Sequence, residues 1–361
     1  MMLKKQLEIL HGKPLSVFTG NPMEIPCIET SDAEKLCKHP VVSVEMITYN
    51  HEPYIRQAIE GVMMQQTDFE FELIIGEDCS QDKTREICFE YHKKYPEKIR
   101  VLWWHENVFN LGGNGRRVFA RCRGEFIAFC EGDDYWTDPL KLQKQVNLIR
   151  QTNAVMCVAN SEWHCPNGTI ELSIYATDRS LLSLDDILKH YFHTTTYLLR
   201  RETYQQCLKQ YPEFIYWYDC VITHCMATMG PICYLTDVVS VYNWTGAGMS
   251  GSPNSAKQIL LLLGQYVQFI LCSIPEVANA YYVKARRSFP KACTARTAKG
   301  YIFSLQECIR IIRVIQSLAY RYEGFFGGCR MSLKCTGRLL KRGIRQLFRS
   351  IKKYLGLLCY I

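Results

Sequence analysis

The stretch Glu125–Pro139, EFIAFCEGDDYWTDP, joins a strand-like run to an acidic cluster. Its first six residues, EFIAFC, are dense in aromatic and β-branched side chains and follow Gly124, which predicts a buried strand. That strand runs straight into Glu131-Gly132-Asp133-Asp134. Carboxylates at the end of a buried strand cost free energy unless something compensates them. A divalent cation is a natural partner, because Mg2+ and Mn2+ take hard oxygen ligands and share them with substrate phosphates. On an extended segment Glu131 and Asp133, two apart, point the same way, one toward a metal and the other toward a hydroxyl or a water. Asp134 then points elsewhere and orients the surroundings. The plainer reading is a solvated loop whose acids cap the next helix. Asp138-Pro139 already supplies N-cap and N1 residues for a helix to about Gln151, which weakens that reading.

Outward from this stretch the chain alternates strands and helices. Val41–Thr48 is a β-branched apolar run and reads as a strand, followed by the turn-like Tyr49-Asn50-His51-Glu52-Pro53. Ile55, Ala58, Ile59, Val62 and Met63 recur at helical spacing. Leu73-Ile74-Ile75 is a short buried strand ending in Glu77-Asp78-Cys79-Ser80-Gln81-Asp82, where Ser80 or Asp82 caps a helix carrying Ile87, Cys88 and Tyr91 on its face. Ile99–Trp104 is a third strand. The glycine-rich Gly112–Gly115 precedes a helical piece around Arg117–Arg123, and Ala154–Ala159 is a strand beyond the acidic cluster. This alternation predicts an α/β fold with a mostly parallel, Rossmann-like sheet flanked by helices. Ligands of such sheets bind beyond the carboxyl ends of the strands. Thr48-Tyr49-Asn50, Glu77-Asp78 and Glu131–Asp134 all fall at those ends, so three polar clusters converge on one edge.

Three stretches carry a resemblance to a known family: VSVEMITYNHEPYIRQAIEGVMMQQ from Val42, LIIGEDCSQDKT from Leu73, and GEFIAFCEGDDYWTDPLKLQKQV from Gly124. In order and spacing they resemble family 2 glycosyltransferases with the GT-A fold, of the bacterial surface-polysaccharide type, over about Val41 to Gly251. The resemblance implies an inverting enzyme that uses a nucleotide-sugar donor, with UDP-sugar favoured, and a divalent metal, Mn2+ or Mg2+. It implies that Thr48 and Tyr49 lie against the base, that Asp78 bonds the pyrimidine with Glu77 beside it, and that Arg116 or Arg117 sits near base or diphosphate. Glu131-Gly132-Asp133 corresponds to the DxD-type motif, with Asp133 on the metal and Glu131 near the ribose; the first position is Glu where the pattern has Asp. Asp219, in Tyr216-Trp217-Tyr218-Asp219, falls at the place of the catalytic base. An alcohol needs such a base to become a nucleophile; a helix N-terminal acid is the alternative for Asp219. Relatives often carry a histidine after the strand Asp237–Tyr242 as a further metal ligand. Here Asn243-Trp244-Thr245 follows, so that ligand is in doubt. Gly246–Ser252 suits a loop closing over the donor or a plain turn, and His193–Thr196 suits an acceptor contact or the start of a buried strand.

The remainder bounds the reading. Of a net charge of +8, the segment from Arg321 to Ile361 carries ten Lys/Arg against one acid, Glu323, so the body is close to neutral. That balance and the lack of a binding motif argue against a nucleic-acid partner. The eighteen cysteines are scattered without a CxxC pair, which points to free thiols in a reducing compartment. His164-Cys165 and His224-Cys225 have no metal-site spacing. The longest apolar stretch, Ile259–Ile274, is short and broken by glutamines for a bilayer span, which needs about 20 apolar residues. From Leu339 to Leu358 apolar residues recur at helical spacing among Arg338, Lys341, Arg342, Arg345, Arg349, Lys352 and Lys353, a pattern that suits an anionic membrane surface. The expected organisation is a leader over 1–39, the catalytic domain over 40–255, a helical region over 256–336 and a basic amphipathic tail over 337–361. The expected setting is cytoplasmic and peripheral, at the inner face of the membrane, with a saccharide or lipid-linked saccharide as acceptor. The competing function is a catalytically silent nucleotide-sugar binder.

Overall fold

The computed structural model describes residues 2–12, 27–108, 114–165, 167–210, 219–245, 256–292, 296–297, 300–301, 303–304 and 306–319. The chain forms two compact units, one of residues 16–251 and one of residues 1–15 with 252–361.

The first unit is built on β1 (Ile28–Thr30), β2 (Val42–Thr48), β3 (Phe71–Glu77), β4 (Ile99–Trp103), β5 (Phe126–Phe129), β6 (Tyr135–Trp136), β7 (Met156–His164), β8 (Ile170–Ser173), β9 (Leu181–Leu182), β10 (Leu198–Arg200) and β11 (Ile232–Asn243). One sheet holds them in the order β1-β4-β3-β2-β5-β10-β7-β11-β6, with β8 beside β7 and β9 beside β11. Neighbours β4, β3, β2 and β5 are parallel, and so are β7 and β11. Three residues of β10 enter antiparallel between β5 and β7, while β1 and β6 close the edges antiparallel. The mostly parallel, Rossmann-like sheet flanked by helices expected from the sequence is therefore present, made mixed by β10 and the antiparallel edge strands.

The helices of this unit are numbered after α1 (Met2–His11), which belongs to the second unit. They are α2 (Ile55–Met63), α3 (Thr84–Lys94), α4 (Asn114–Arg121), α5 (Lys141–Thr152), α6 (Leu184–Lys189), α7 (Arg201–Gln210) and α8 (Asp219–Met229). Strand side chains alternate between faces. Val42, Val44 and Met46 of β2 join Leu73 and Ile75 of β3 on the face covered by Ile59 and Val62 of α2, Ile87 of α3 and Val146 of α5. Each such side chain, fully buried, contributes about 1.5–3 kcal/mol. α4 covers the other face over β2 and β3. It approaches closely because Gly76 has no side chain: a Cβ there would lie 2.2 Å from Asn114 Oδ1. The Asn114 amide donates to Gly76 O at 2.6 Å.

α5 begins at Lys141 rather than at Pro139. Asp138 still serves its start, accepting from Leu140 N at 2.8 Å and from Lys144 Nζ at 2.7 Å.

The second unit is helical. α1 packs on α9 (Ala256–Cys272), and α9 packs on α10 (Pro275–Ala292). Phe269 stacks on Tyr281 with centroids 4.2 Å apart. A further helix over 306–319 buries Ile311, Val314, Ile315 and Leu318, and its Ser317 accepts from Gln6 of α1 at 3.1 Å. Among the described residues no helix is long and apolar enough to cross a membrane. The basic tail over 337–361 lies outside the described residues. Within 1–39, α1 belongs to this unit, whereas β1 extends the sheet of the other.

Candidate active site

The carboxyl ends of β2, β3 and β5 are adjacent in the sheet, and their loops are tied together. The loop after β2 and the loop after β3 exchange hydrogen bonds in both directions. Asn50 N donates to Ser80 Oγ at 2.9 Å, while Gln81 N donates to Asn50 Oδ1 at 2.8 Å. Glu52 N donates to Asp82 Oδ2 at 3.0 Å, while Lys83 N donates to Glu52 Oε2 at 3.1 Å. His51 N donates to Thr84 Oγ1 at 2.8 Å. Asn50 and Cys79 both adopt left-handed backbone, at φ 54° and 61°. Asn tolerates this conformation and Cys does so less readily, so the reciprocal bonds hold a turn that the local sequence disfavours.

Thr48 is buried, and its Oγ1 has no hydrogen-bond partner among the described residues. Tyr49 stands at the rim, 39% exposed. Asp78 is buried beyond β3; its N donates to Thr48 O at 3.0 Å, and its Oδ1 accepts from Val108 N at 2.7 Å. Glu77 is turned to a different task. One of its oxygens accepts from Ser80 N at 2.6 Å and the other binds the Arg85 guanidinium, so its carboxylate fixes the loop that carries Asp78. Arg117 is buried with its guanidinium 5.3 Å over the Trp104 ring. Burial pushes Arg117 down from its ordinary value, and Arg116 likewise.

The acidic run is a turn, not an extended segment. Asp134 N donates back to Glu131 O at 3.1 Å, and Gly132 N donates to Ile47 O at 2.9 Å. The same-side argument for Glu131 and Asp133 therefore does not apply, and the three acids take different surroundings. Glu131 lies near Glu45 of β2. Burial, and then the charge of Glu131, hold the Glu45 carboxyl well above the ordinary carboxylate range. Asp133 faces the loop after β2, with its Oδ2 3.7 Å from His51 Nε2. Asp134 is buried, accepts from Asn243 N at 2.8 Å and lies 3.8 Å from His193 Nδ1. Asn243 also donates through Nδ2 to Asp133 O at 2.7 Å. Asn243, the residue after Tyr242, thus clamps the acidic turn to the end of β11. Gly132 permits the close fit: a Cβ there would lie 2.5 Å from Thr48 Oγ1 and 3.0 Å from His51 Nδ1.

His193–Thr196 is buried; Thr194–Thr196 form one turn of 3-10 helix ahead of β10. The His193 ring lies 4.1 Å from that of Tyr242, and Trp163 packs edge-on to Tyr242 at 5.5 Å. Asp219 is the first residue of α8; its side chain lies outside the described residues, as do residues 246–252. His164 bonds Glu162 at 3.2 Å and His224 bonds Ile187 O at 3.1 Å, neither beside a metal-like cluster. The cysteines among the described residues are free thiols.

Among the described residues no hydrogen bond reaches the Asp133 carboxylate, and no group of three or more His, Cys, Asp or Glu is gathered as a cage. An unsatisfied carboxylate with few protein neighbours fits a cation that completes its shell from phosphates and water. Sequence reasoning passed over His51, Glu45 and the tie between the two loops. His51 was reachable, because it lies three residues past Thr48 at a strand end already marked as ligand-binding.

The profile of Glycosyl transferase family 2 matches residues 43–225, from within β2 into α8, and so takes in Thr48, Asp78, the acidic turn and Asp219 but not Tyr242 or Asn243. The chain belongs to that family. An uncharacterized protein of Mycobacterium tuberculosis is 34% identical over 204 residues, 56% of this chain and 58% of its own length. The chain thus spans less than two thirds of that relative. A dTDP-rhamnosyl transferase of Shigella flexneri is 26% identical over 164 residues, 44% of this chain and 54% of its own length. Among solved structures, residues 1–349 of Staphylococcus aureus TarS in complex with UDP-GlcNAc superpose with a TM-score of 0.59 at 17% identity, covering 84% of this chain and 91% of that one. That likeness is one of fold. The family 2 match confirms the family expected from the sequence.

Proposed function

We propose that this family 2 chain is an inverting glycosyltransferase that moves a sugar from a pyrimidine nucleotide donor, UDP-sugar in the first instance, to a saccharide or lipid-linked saccharide of the cell envelope. One observation carries the reading: Thr48, Asp78 and Asp133 lie at the carboxyl ends of adjacent strands, with the loops after β2 and β3 locked by reciprocal hydrogen bonds and the turn after β5 held by Asn243. Fixed polar groups at such an edge bind a nucleotide without paying again to order the loops. The name of the Shigella relative, a dTDP-rhamnosyl transferase, supports a pyrimidine donor.

In this reading Thr48 and Tyr49 flank the base and Asp78 bonds the pyrimidine. Glu77 serves by holding the Asp78 loop, and Glu131 reaches the ribose. Asp133 holds a divalent cation, Mn2+ or Mg2+. When bound, that ion neutralises charge growing on the diphosphate leaving group. Asp219, at the start of α8, takes the proton of the acceptor hydroxyl. The acceptor oxygen then bonds to the anomeric carbon from the face opposite the diphosphate, the carbon–phosphate oxygen bond breaks, and the configuration inverts. The basic tail over 337–361 places the enzyme at the anionic inner face of the membrane, where lipid-linked acceptors lie.

A panel of sugar nucleotides with Mn2+ in thermal-shift and transfer assays tests the reading. A stabilising UDP- or dTDP-sugar that is turned over by wild type, and bound but not transferred by Asp219→Asn, is the expected result. Transfer by Asp219→Asn at the wild-type rate would sink the base assignment. Stabilisation by purine sugar nucleotides alone would sink the pyrimidine donor.

A further inference from the structure

The turn after β2 brings an imidazole up to the Asp133 carboxylate. We infer that His51, from the turn after β2, is a second protein ligand of the cation held by Asp133. The inference rests on the reading that Asp133 binds a divalent ion.

The geometry comes first. His51 Nε2 and Asp133 Oδ2 are 3.7 Å apart. That is too long for a hydrogen bond, whose N···O distance ends near about 3.2 Å. Two atoms bound to one ion at about 2.1 Å each stand roughly 3–4.2 Å apart, and 3.7 Å falls in that span. Both side chains are about one-fifth exposed, 22% and 20%, so the gap is open to solvent without being free in it.

The support of the ring comes second. A metal-binding imidazole usually has a fixed orientation. The His51 backbone is pinned by its N–H to Thr84 Oγ1 at 2.8 Å, and the turn around it is pinned by the bonds of Asn50 and Glu52 to the loop after β3. The other ring nitrogen, Nδ1, is buried, has no hydrogen-bond partner among the described residues, and packs against Gly132 where a Cβ would come within 3.0 Å. The ring is wedged against the acidic turn with Nε2 as the atom facing Asp133. Asn243, meanwhile, spends its amide on Asp133 O and its N–H on Asp134, which commits it to holding the turn.

The ligand type has a consequence. Mg2+ keeps to oxygen, whereas imidazole suits transition ions. A carboxylate paired with a histidine therefore moves this site's preference toward Mn2+ and away from Mg2+.

Pulsed EPR of Mn2+ bound to the full chain, alone and with UDP, tests the assignment. The expected result is nitrogen modulation from a coordinated imidazole in wild type that is absent in His51→Gln. The variant should still melt cooperatively and still bind Mn2+ with UDP, at an Mn2+ affinity lower by roughly tenfold or more and with a smaller preference for Mn2+ over Mg2+. Bound Mn2+ without nitrogen modulation in wild type, or modulation that survives in His51→Gln, overturns the His51 ligand and leaves Asp133 standing. Failure of wild type to bind Mn2+ with or without UDP overturns both.

Discussion

Glu72 and Asp133 are acids at opposite ends of the same sheet, and their surroundings differ in kind. Glu72, at the start of β3, is fully buried and fully engaged. It accepts from Ser43 Oγ at 2.6 Å, from Arg123 N, Nε and Nη2 at 3.1, 2.9 and 2.6 Å, and from Arg100 Nη1 at 3.1 Å. The carboxylate of Asp133, beyond the end of β5, receives no hydrogen bond from the described residues and faces an imidazole 3.7 Å away. A buried charge that the fold completes by itself belongs to the architecture. A fixed charge that the fold leaves incomplete waits for something the chain does not contain. Glu72 at the amino end of β3 is completed by the chain, whereas in the proposed function the Asp133 carboxylate beyond β5 is completed by a ligand.

Asp133→Asn breaks the incomplete end and gives the largest expected effect. Mn2+-dependent turnover falls roughly a thousandfold, about 4 kcal/mol of barrier, while the denaturation midpoint stays near wild type. Steady-state rates with and without Mn2+ and a chemical denaturation curve check both halves. Full Mn2+-dependent turnover would remove Asp133 from the metal.

Glu72→Gln breaks the complete end and reverses the pattern. It leaves the buried Arg100 guanidinium without one of its two carboxylates, the other being Glu29 at 2.9 Å, and strips the Arg123 pair. Loss of one partner from a buried pair costs about 3 kcal/mol of stability. Nucleotide affinity of the folded fraction should be unchanged. A loss of affinity with intact stability would contradict the division between the two ends.

Gly132→Ala acts at the seam between architecture and site. The added Cβ would stand 2.5 Å from Thr48 Oγ1 and 2.7 Å from Thr48 Cβ, so one side must shift. The expected cost is about 2 kcal/mol of stability, as for overpacking, with weaker UDP binding because Thr48 and His51 move together. Wild-type UDP affinity measured by calorimetry would mean that neither residue borders the nucleotide.

The same division sets what could be read from sequence. Long elements are legible: the runs Val41–Thr48 and Ile99–Trp104 appear as β2 over Val42–Thr48 and β4 over Ile99–Trp103. Short ones are not. β10 is three residues, Leu198–Arg200, too few to show a period, yet it is the piece that turns a parallel sheet into a mixed one between β5 and β7. In the site, the convergence of Thr48, Asp78 and Asp133 follows from their places at strand ends. Glu77 was legible as a neighbour of Asp78 but not as the partner of Arg85, because that pairing depends on how the loop folds back onto α3. The turn at Glu131–Asp134 was hidden for a similar reason: it is set by Asn243, more than a hundred residues away in sequence.

Lys141 supplies a third answer to the problem of a buried charge, and the smallest effect. It is fully buried at the start of α5, donates to Gln145 Oε1 at 2.8 Å and lies 4.1 Å over the Trp136 ring. No carboxylate among the described residues forms an ion pair with it, and burial pushes its ammonium down to about 7 against the opposing pull of Cys130, Cys157 and Asp138 nearby. In the unfolded chain the group titrates near about 10.4. Above about pH 7 the folded state therefore holds fewer protons at this site than the unfolded state, and this group makes stability rise with pH, by at most about 1.4 kcal/mol per unit. Below that point the full burial penalty is present. Buried thiols such as Cys88 and Cys122, pushed upward by burial, reverse the slope at higher pH, because the unfolded chain loses those protons first. The useful window is thus roughly pH 6 to 8.5. Lys141→Met should be most favourable relative to wild type at pH 6, and its advantage should shrink by about 1–2 kcal/mol by pH 8.5. Urea denaturation of both proteins across that window checks the sign. A difference independent of pH would mean that Lys141 keeps its proton in the fold, held by the indole face rather than neutralised.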